Sequence, residues 1–241
     1  INMNLNEVIA NKANLLLGYK LPSNKPLHPN DDINKSQSSN DTIPTAMHIA
    51  TVLIIKRELL PAISKIKKTL KKKVKEFNKI IKIGRTHTQD ATPIKLSNEF
   101  LTFHDQIYYA EKKILQSLSK LFQLAQGGTA VGSGVNAPKD FSKNFIKNIK
   151  RLTKIPFNSA SNKYEALASH DVFIEVMSAM EILTSSLFKM ANDIRVLSSG
   201  PRSGIAELIL PANEPGSSIM PGKINPTQCE ALSMVCAHVI G

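Results

Sequence analysis

The chain has 241 residues, 42% hydrophobic and 21% charged, which is the ordinary balance of a globular protein with room for a substantial core. Its formal net charge of +12 comes mostly from lysines crowded into positions 65–82; with no tryptophan and few aromatics to stack bases, the excess reads as a solvated helix face, and no nucleic-acid partner is expected. No apolar run is long enough to span a bilayer, so no membrane partner is expected. The only cysteines, Cys229 and Cys236, can neither bridge along one intact helix nor hold an iron–sulfur cluster alone, so both are expected as reduced thiols.

In chain order, residues 2–17 read as an amphipathic helix with Gly18 just past its end, and not as a targeting peptide. The chain is expected to begin within an element and to end, at Val239-Ile240-Gly241, inside an apolar periodic run. Residues 19–42 form a long loop rich in Asn, Pro, Ser and Asp, a composition and length that favour an ordered, functional loop. A helix capped by Asp41 or Thr42, with Pro44 in its first turn, then runs to about Leu70 and beyond, kinked or restarted at Pro61.

A second polar loop, 84–93, leads to a helix over about 97–126 that ends at Gly127-Gly128. The glycine-rich GGTAVGSG that follows has neither the P-loop ending nor dinucleotide-fingerprint spacing, and is expected to be a tight backbone crossing. A helix over about 139–152 precedes the longest periodic segment, 164–199. There Ile174, Met177, Met180, Leu183, Leu187, Met190, Ile194 and Leu197 recur in steps of three and four as a core seam, stopped by Gly200-Pro201. Residues 207–210 could add one short strand. The fold class is therefore all-α, built on long, near-antiparallel helices.

Residues 216–230, GSSIMPGKINPTQCE, carry the clearest chemistry. Asn225 is placed to cap a helix opening at Pro226, which aims free N–H groups and the positive dipole end at the loop. Lys223 adds a full charge, and Ser217 and Ser218 add hydroxyls, so the loop suits a small anion. Ser38-Ser39-Asn40 and Thr86-His87 repeat the pattern of donors expected just before a helix. If the three loops converge, they offer donors for two carboxylates and groups for proton transfer.

These stretches also carry a resemblance. GSSIMPGKINP (216–226) resembles the signature loop of the fumarase/aspartase superfamily. HPNDDINKSQSSND (28–41) and GRTHTQDATP (84–93) are similar to its other two site-forming segments, in the same order. Thr86-His87 and PGKINPTQCEA resemble the class II fumarase branch, since aspartases usually carry glutamine in place of the histidine and PAK in place of PGK.

The resemblance implies a truncated long-helix bundle. Residues 1–37 would close an N-terminal domain, and 38–241 would form part of the central bundle. It implies reversible hydration of fumarate to L-malate through an aci-carboxylate, without metal or other cofactor, in a homotetramer whose active sites each draw on three subunits. A cytoplasmic location is preferred, or the mitochondrial matrix if the source is eukaryotic. The alternatives are another superfamily lyase, such as one adding ammonia to fumarate, or a non-catalytic truncated homologue.

By resemblance, Ser217 is the base that takes the C3 proton, and His87 works through a water with Glu230. Ser38, Ser39, Asn40, Thr86, Ser218, Lys223, Ile224 and Asn225 bind substrate. His28, Pro29, Asn30 and Asp31 form a second dicarboxylate site. The chemistry is coherent, because fixed donors stabilise the charge that develops on proton removal alpha to a carboxylate, while a serine needs strong stabilisation to act as a base. His48, His104, His170 and His238 are expected to be non-catalytic.

Overall fold

The computed structural model describes residues 1–216 and 219–241. The described residues are mostly helical, as the patterning predicts, and divide into two compact units: Ile1–Leu59 with Ser117–Ile174, and Leu60–Gln116 with Glu175–Gly241.

In the first unit, α1 (Asn2–Leu16) buries its polar side. Asn2, Asn6, Ala10 and Asn14, four residues apart, form the covered stripe, whereas Leu5, Val8, Ile9 and Leu16 are exposed. The reason is the long loop that follows, whose backbone and side chains need partners. Asn14 accepts from Leu27 N at 3.0 Å and donates to the carbonyls of Ser23 and Leu27 at 2.9 and 3.0 Å. Asn2 and Asn6 both donate to Asn34 Oδ1 at 3.0 Å. The loop is ordered, as expected, and contains a π-helical turn at Pro29–Ile33.

α2 (Ser39–Ile54) begins earlier than its proline suggests. Ser38 is the N-cap, and Asp41 is the third helical residue, whose carboxylate accepts from Ser38 N at 2.9 Å in a capping box. Pro44 therefore sits inside the helix and not in its first turn. A π-helical turn over Ile55–Leu59 follows, and α3 (Leu60–Glu76) restarts where Pro61 removes an N–H and crowds the preceding turn.

The C-terminal end of α4 (Leu96–Leu121) leads into β3 (Gln123–Leu124), which pairs in parallel with β4 (Asn158–Ser159) on either side of α5 (Phe141–Thr153). The α4 helix thus stops short of Gln126, because residues 123–126 are drawn into sheet pairing and burial. The glycine-rich stretch is the backbone crossing its composition predicts. A Cβ on Gly132 would lie 2.7 Å from Tyr164 N and Cα, and its φ of +107° suits only glycine. α6 (Lys163–Ala168) is separate from α7 (Val172–Leu197), so the periodic segment is broken at 169–171.

The second unit holds α3, most of α4 and α7, and α8 (Thr227–Ile240), with a core that includes Ile63, Leu70, Phe100, Phe103, Ile107, Leu183 and Met190. Phe100 meets Phe77 and Phe103 edge to face at 4.9 and 5.7 Å between ring centroids. The predicted seam of α7 holds in its C-terminal half. Earlier, the covered face is Val172, Val176 and Ala179, while Ile174 (70% exposed) and Met177 point outward. Most lysines of 65–82 are exposed as expected, but Lys82 is not; its side chain is 7% exposed and ion-paired.

Two expectations about strands are corrected. The polar loop 84–93 is part of an antiparallel hairpin of β1 (Ile81–Thr86) and β2 (Gln89–Lys95), with an irregularity at Gly84. Pro93 masks the second strand in the sequence, because proline usually argues against a ladder position. Residues 207–210 form no strand. The amides of Glu207 and Leu208 instead donate to the carbonyl of Leu197 at 2.8 and 3.1 Å, satisfying the end of α7.

Candidate active site

In the first unit, the capping box sets Ser38, Ser39 and Asn40 at the start of α2. Asp41, fully buried beneath them, accepts from Gly127 N and Thr129 N at 2.9 Å each through Oδ2. This ties the helix start to the glycine-rich crossing. Asn40 Nδ2 donates to the carbonyl of Ala130 at 2.8 Å, and Ser39 Oγ accepts from Asn2 Nδ2 at 3.2 Å. Ser39 and Asn40 line a cleft of about 430 Å³ together with Tyr164 and His170. His28, Pro29, Asn30 and Asp31 lie at the π-helical turn, where His28 Nδ1 accepts from the amides of Asn30 and Asp31 at 3.3 and 3.2 Å. His28 is thus itself a helix cap.

In the second unit, Thr86 ends β1, and His87 and Thr88 make the two-residue turn of the hairpin with φ of +53° and +62°. Positive φ at both positions is the pattern of a type I′ hairpin turn. Histidine tolerates this better than most residues, but a β-branched threonine does not. Such a strained turn presenting an exposed histidine is the kind of outlier that accompanies function. The helix expected to follow this loop from about residue 97 is α4, which starts at Leu96 with the whole of β2 between it and Thr86-His87.

The base of the hairpin is fixed by charge. Arg85 Nη2 donates to Glu207 Oε1 at 2.7 Å, and Lys82 Nζ lies 2.7 Å from both Glu99 Oε1 and Glu207 Oε2. Burial pushes the Glu207 carboxyl up, but its hydrogen bond from Arg85 and the charge of Lys82 outweigh that and hold it below the usual carboxylate range. No pattern in the sequence pairs Glu207 with Arg85, since they are far apart along the chain.

Lys223, Ile224 and Asn225 line a second cleft, of about 250 Å³, with Glu214, Gln228 and Cys229; Gln228 Nε2 donates to Glu214 Oε1 at 3.1 Å. Thr86, His87 and Glu230 are not among its lining residues. The helix beyond opens one residue later than predicted. Pro226 is its N-cap and Thr227 its first residue, so Asn225 lies before the cap, and Pro226 brings no capping side chain. Glu230 pairs with Arg195, Oε1 to Nη2 at 3.7 Å. Burial raises the Cys229 and Cys236 thiols, and both cysteines are unbridged, as expected. Ser217 and Ser218 lie outside the described residues. Among the described residues no group of three His, Cys, Asp or Glu is placed to hold a metal ion. No helix among them is long and apolar enough to cross a membrane.

The profile of a family described as Lyase matches residues 1–241. The chain belongs to this lyase family. Among its relatives, "Fumarate hydratase class II 2" of Bradyrhizobium diazoefficiens is 58% identical over 240 residues, covering all of the chain and 51% of the relative. "Fumarate hydratase, mitochondrial" of Schizosaccharomyces pombe is 58% identical over 240 residues, with 46% of the relative covered. A crystal structure of class II fumarase from Schistosoma mansoni superposes with a TM-score of 0.94 at 41% identity, covering all of this chain and 53% of the other. The chain spans about half the length of the curated relatives it matches. The resemblance to class II fumarase therefore extends over the whole chain, and the helical fold is that of this group.

Proposed function

We propose that the natural-length protein hydrates fumarate reversibly to L-malate. The observation that carries this reading is the match, over the entire chain, to relatives named fumarate hydratase. The residues fit the chemistry. In the malate-to-fumarate direction a base removes the C3 proton, the electron pair passes into the adjacent carboxylate as an aci-carboxylate, and the C2 hydroxyl leaves as water once protonated. Ser217 is the base. Ser218, Lys223, Ile224 and Asn225 hold the carboxylate whose charge grows in the transition state. His87 acts through a water with Glu230, and Ser38, Ser39, Asn40 and Thr86 bind substrate. His28, Pro29, Asn30 and Asp31 form a second dicarboxylate site.

The assembly is a homotetramer in which three subunits supply each active site. In support, large apolar side chains such as Ile174, Met177, Ile182 and Phe188 on α7 are exposed within the chain. No cofactor is assigned. A cytoplasmic location is preferred for a bacterial source, the matrix for a eukaryotic one.

The test is loss of fumarate absorbance with water as the sole co-substrate, compared with added ammonia. Malate formation supports the reading; ammonia-dependent consumption without malate replaces it with an amino-acid lyase. Binding of malate without turnover makes the protein a non-catalytic homologue. Ser217→Ala is expected to lower kcat strongly with little change in KM, because a proton-transfer group acts in the transition state. An unchanged kcat removes Ser217 as the base.

A further inference from the structure

The buried asparagines of α1 set the direction of a chain of hydrogen bonds that ends at Ser39. The carbonyl of Gln37 can only accept, and Asn34 Nδ2 donates to it at 3.4 Å. That fixes the amide of Asn34 with Oδ1 turned toward α1, where it receives the Nδ2 groups of both Asn2 and Asn6 at 3.0 Å. Asn2, 7% exposed, must therefore present its NH2 end to the loop. One of its two protons goes to Asn34 and the other to Ser39 Oγ, at 3.2 Å. Among the described residues Ser39 Oγ makes no other hydrogen bond.

A hydroxyl that accepts from a neighbour keeps its own proton for a different partner. We infer that Asn2 is a positioning residue that fixes Ser39 as a hydrogen-bond donor toward the exposed side of the helix start, so that its O–H meets the carboxylate of an incoming substrate. A serine without such a neighbour could turn its proton inward and present a lone pair, which repels an anion. Asn2 thus converts an ambivalent hydroxyl into a committed donor, without touching substrate itself. The sequence hides this, because Asn2 sits 37 residues from Ser39 on a helix whose apolar side draws attention first. The inference rests on the fumarate reading in taking the ligand to be a dicarboxylate.

The experiment compares Asn2→Asp, Ser39→Ala and the double variant in the natural-length protein. The ionised carboxylate that Asn2→Asp introduces can only accept, so it pulls the Ser39 proton inward. The expected result is a rise of about tenfold in the KM for malate with kcat within about twofold, as for a lost hydrogen bond to a charged group that acts equally in ground and transition states. In the Ser39→Ala background the same Asn2→Asp step is expected to change KM by less than about twofold. An unchanged KM in Asn2→Asp, or the same tenfold rise in both backgrounds, overturns the proposal, because a merely structural role would not depend on the hydroxyl. Neutron diffraction on deuterated wild-type protein reads the same point without turnover or a folded variant. Deuterium on Ser39 Oγ directed away from Asn2 supports the assignment, and deuterium directed at Asn2 overturns it. Wild-type protein inactive on fumarate but with the outward deuterium defeats the functional reading and leaves the donor assignment standing.

Discussion

Arg85 Nη2 donates to Glu207 Oε1 at 2.7 Å, which fastens the strand that ends at Thr86, just before His87, to the segment that leaves α7. Glu207→Gln removes the shared anion and leaves the poorly exposed Lys82 with Glu99 alone. The expected cost is about 1–3 kcal/mol, between that of an exposed pair and that of a fully buried one. It is read as a lower denaturant midpoint at unchanged m. Because the folded pKa of Glu207 lies below its unfolded value, its contribution is present above the ordinary carboxylate pKa and is lost as pH falls through the folded value. Glu207→Gln is expected to flatten that part of the acid limb.

His48 gives a second, separable pH effect. It is buried, with Nδ1 3.0 Å from the carbonyl of Gln123 and its ring edge-on to Phe173 at 5.4 Å. Burial is the main cause that lowers its pKa from the ordinary 6.5. Below pH 6.5 the unfolded chain takes up a proton that the folded chain refuses, so stability falls as pH drops from there toward the folded value. Chemical denaturation between about pH 7 and about pH 5 should show this slope in the wild type and its loss in His48→Gln.

Asp41→Asn is expected to cost about 2–4 kcal/mol in thermal or chemical unfolding. The carboxylate accepts from the amides of Ser38, Gly127 and Thr129, and an Asn NH2 would face at least one of these donors and leave it unpaired. A variant as stable as the wild type would show that the α2 start does not depend on this tie.

Gly132→Ala should destabilise by more than about 1 kcal/mol, since the new methyl meets the Tyr164 backbone and φ of +107° strains any L-residue. Gly18→Ala, at φ +88° with open space around it, is the control; it carries the strain alone and should cost less. Equal losses of melting temperature in the two would remove the contact from the explanation.

Much of the fold was legible along the chain because its rules are local. Periodicity marked α1, α3, α4, α5 and α7, proline marked the break before α3, and glycine spacing marked the crossing at Gly132. The site stretches around Ser39, His87 and Lys223 were legible for a different reason: their letters resemble those of a known superfamily. The capping box was also written in the sequence as Ser38 followed three residues later by Asp41, but Pro44 pulled the expected start too far along. The hairpin of β1 and β2 was not legible, since its turn has neither glycine nor asparagine and its second strand contains Pro93.

By itself the sequence determined that the chain is helical, which loops carry donors, and which superfamily those loops resemble. Only the tertiary structure decided which side of α1 is covered, which carboxylate holds Arg85, and which way the Ser39 hydroxyl is biased. The physical reason is the same in each case. These outcomes depend on polar groups that must find partners once water is removed, and the partner of Asn2, Arg85 or Asp41 lies at a sequence separation that no local pattern encodes.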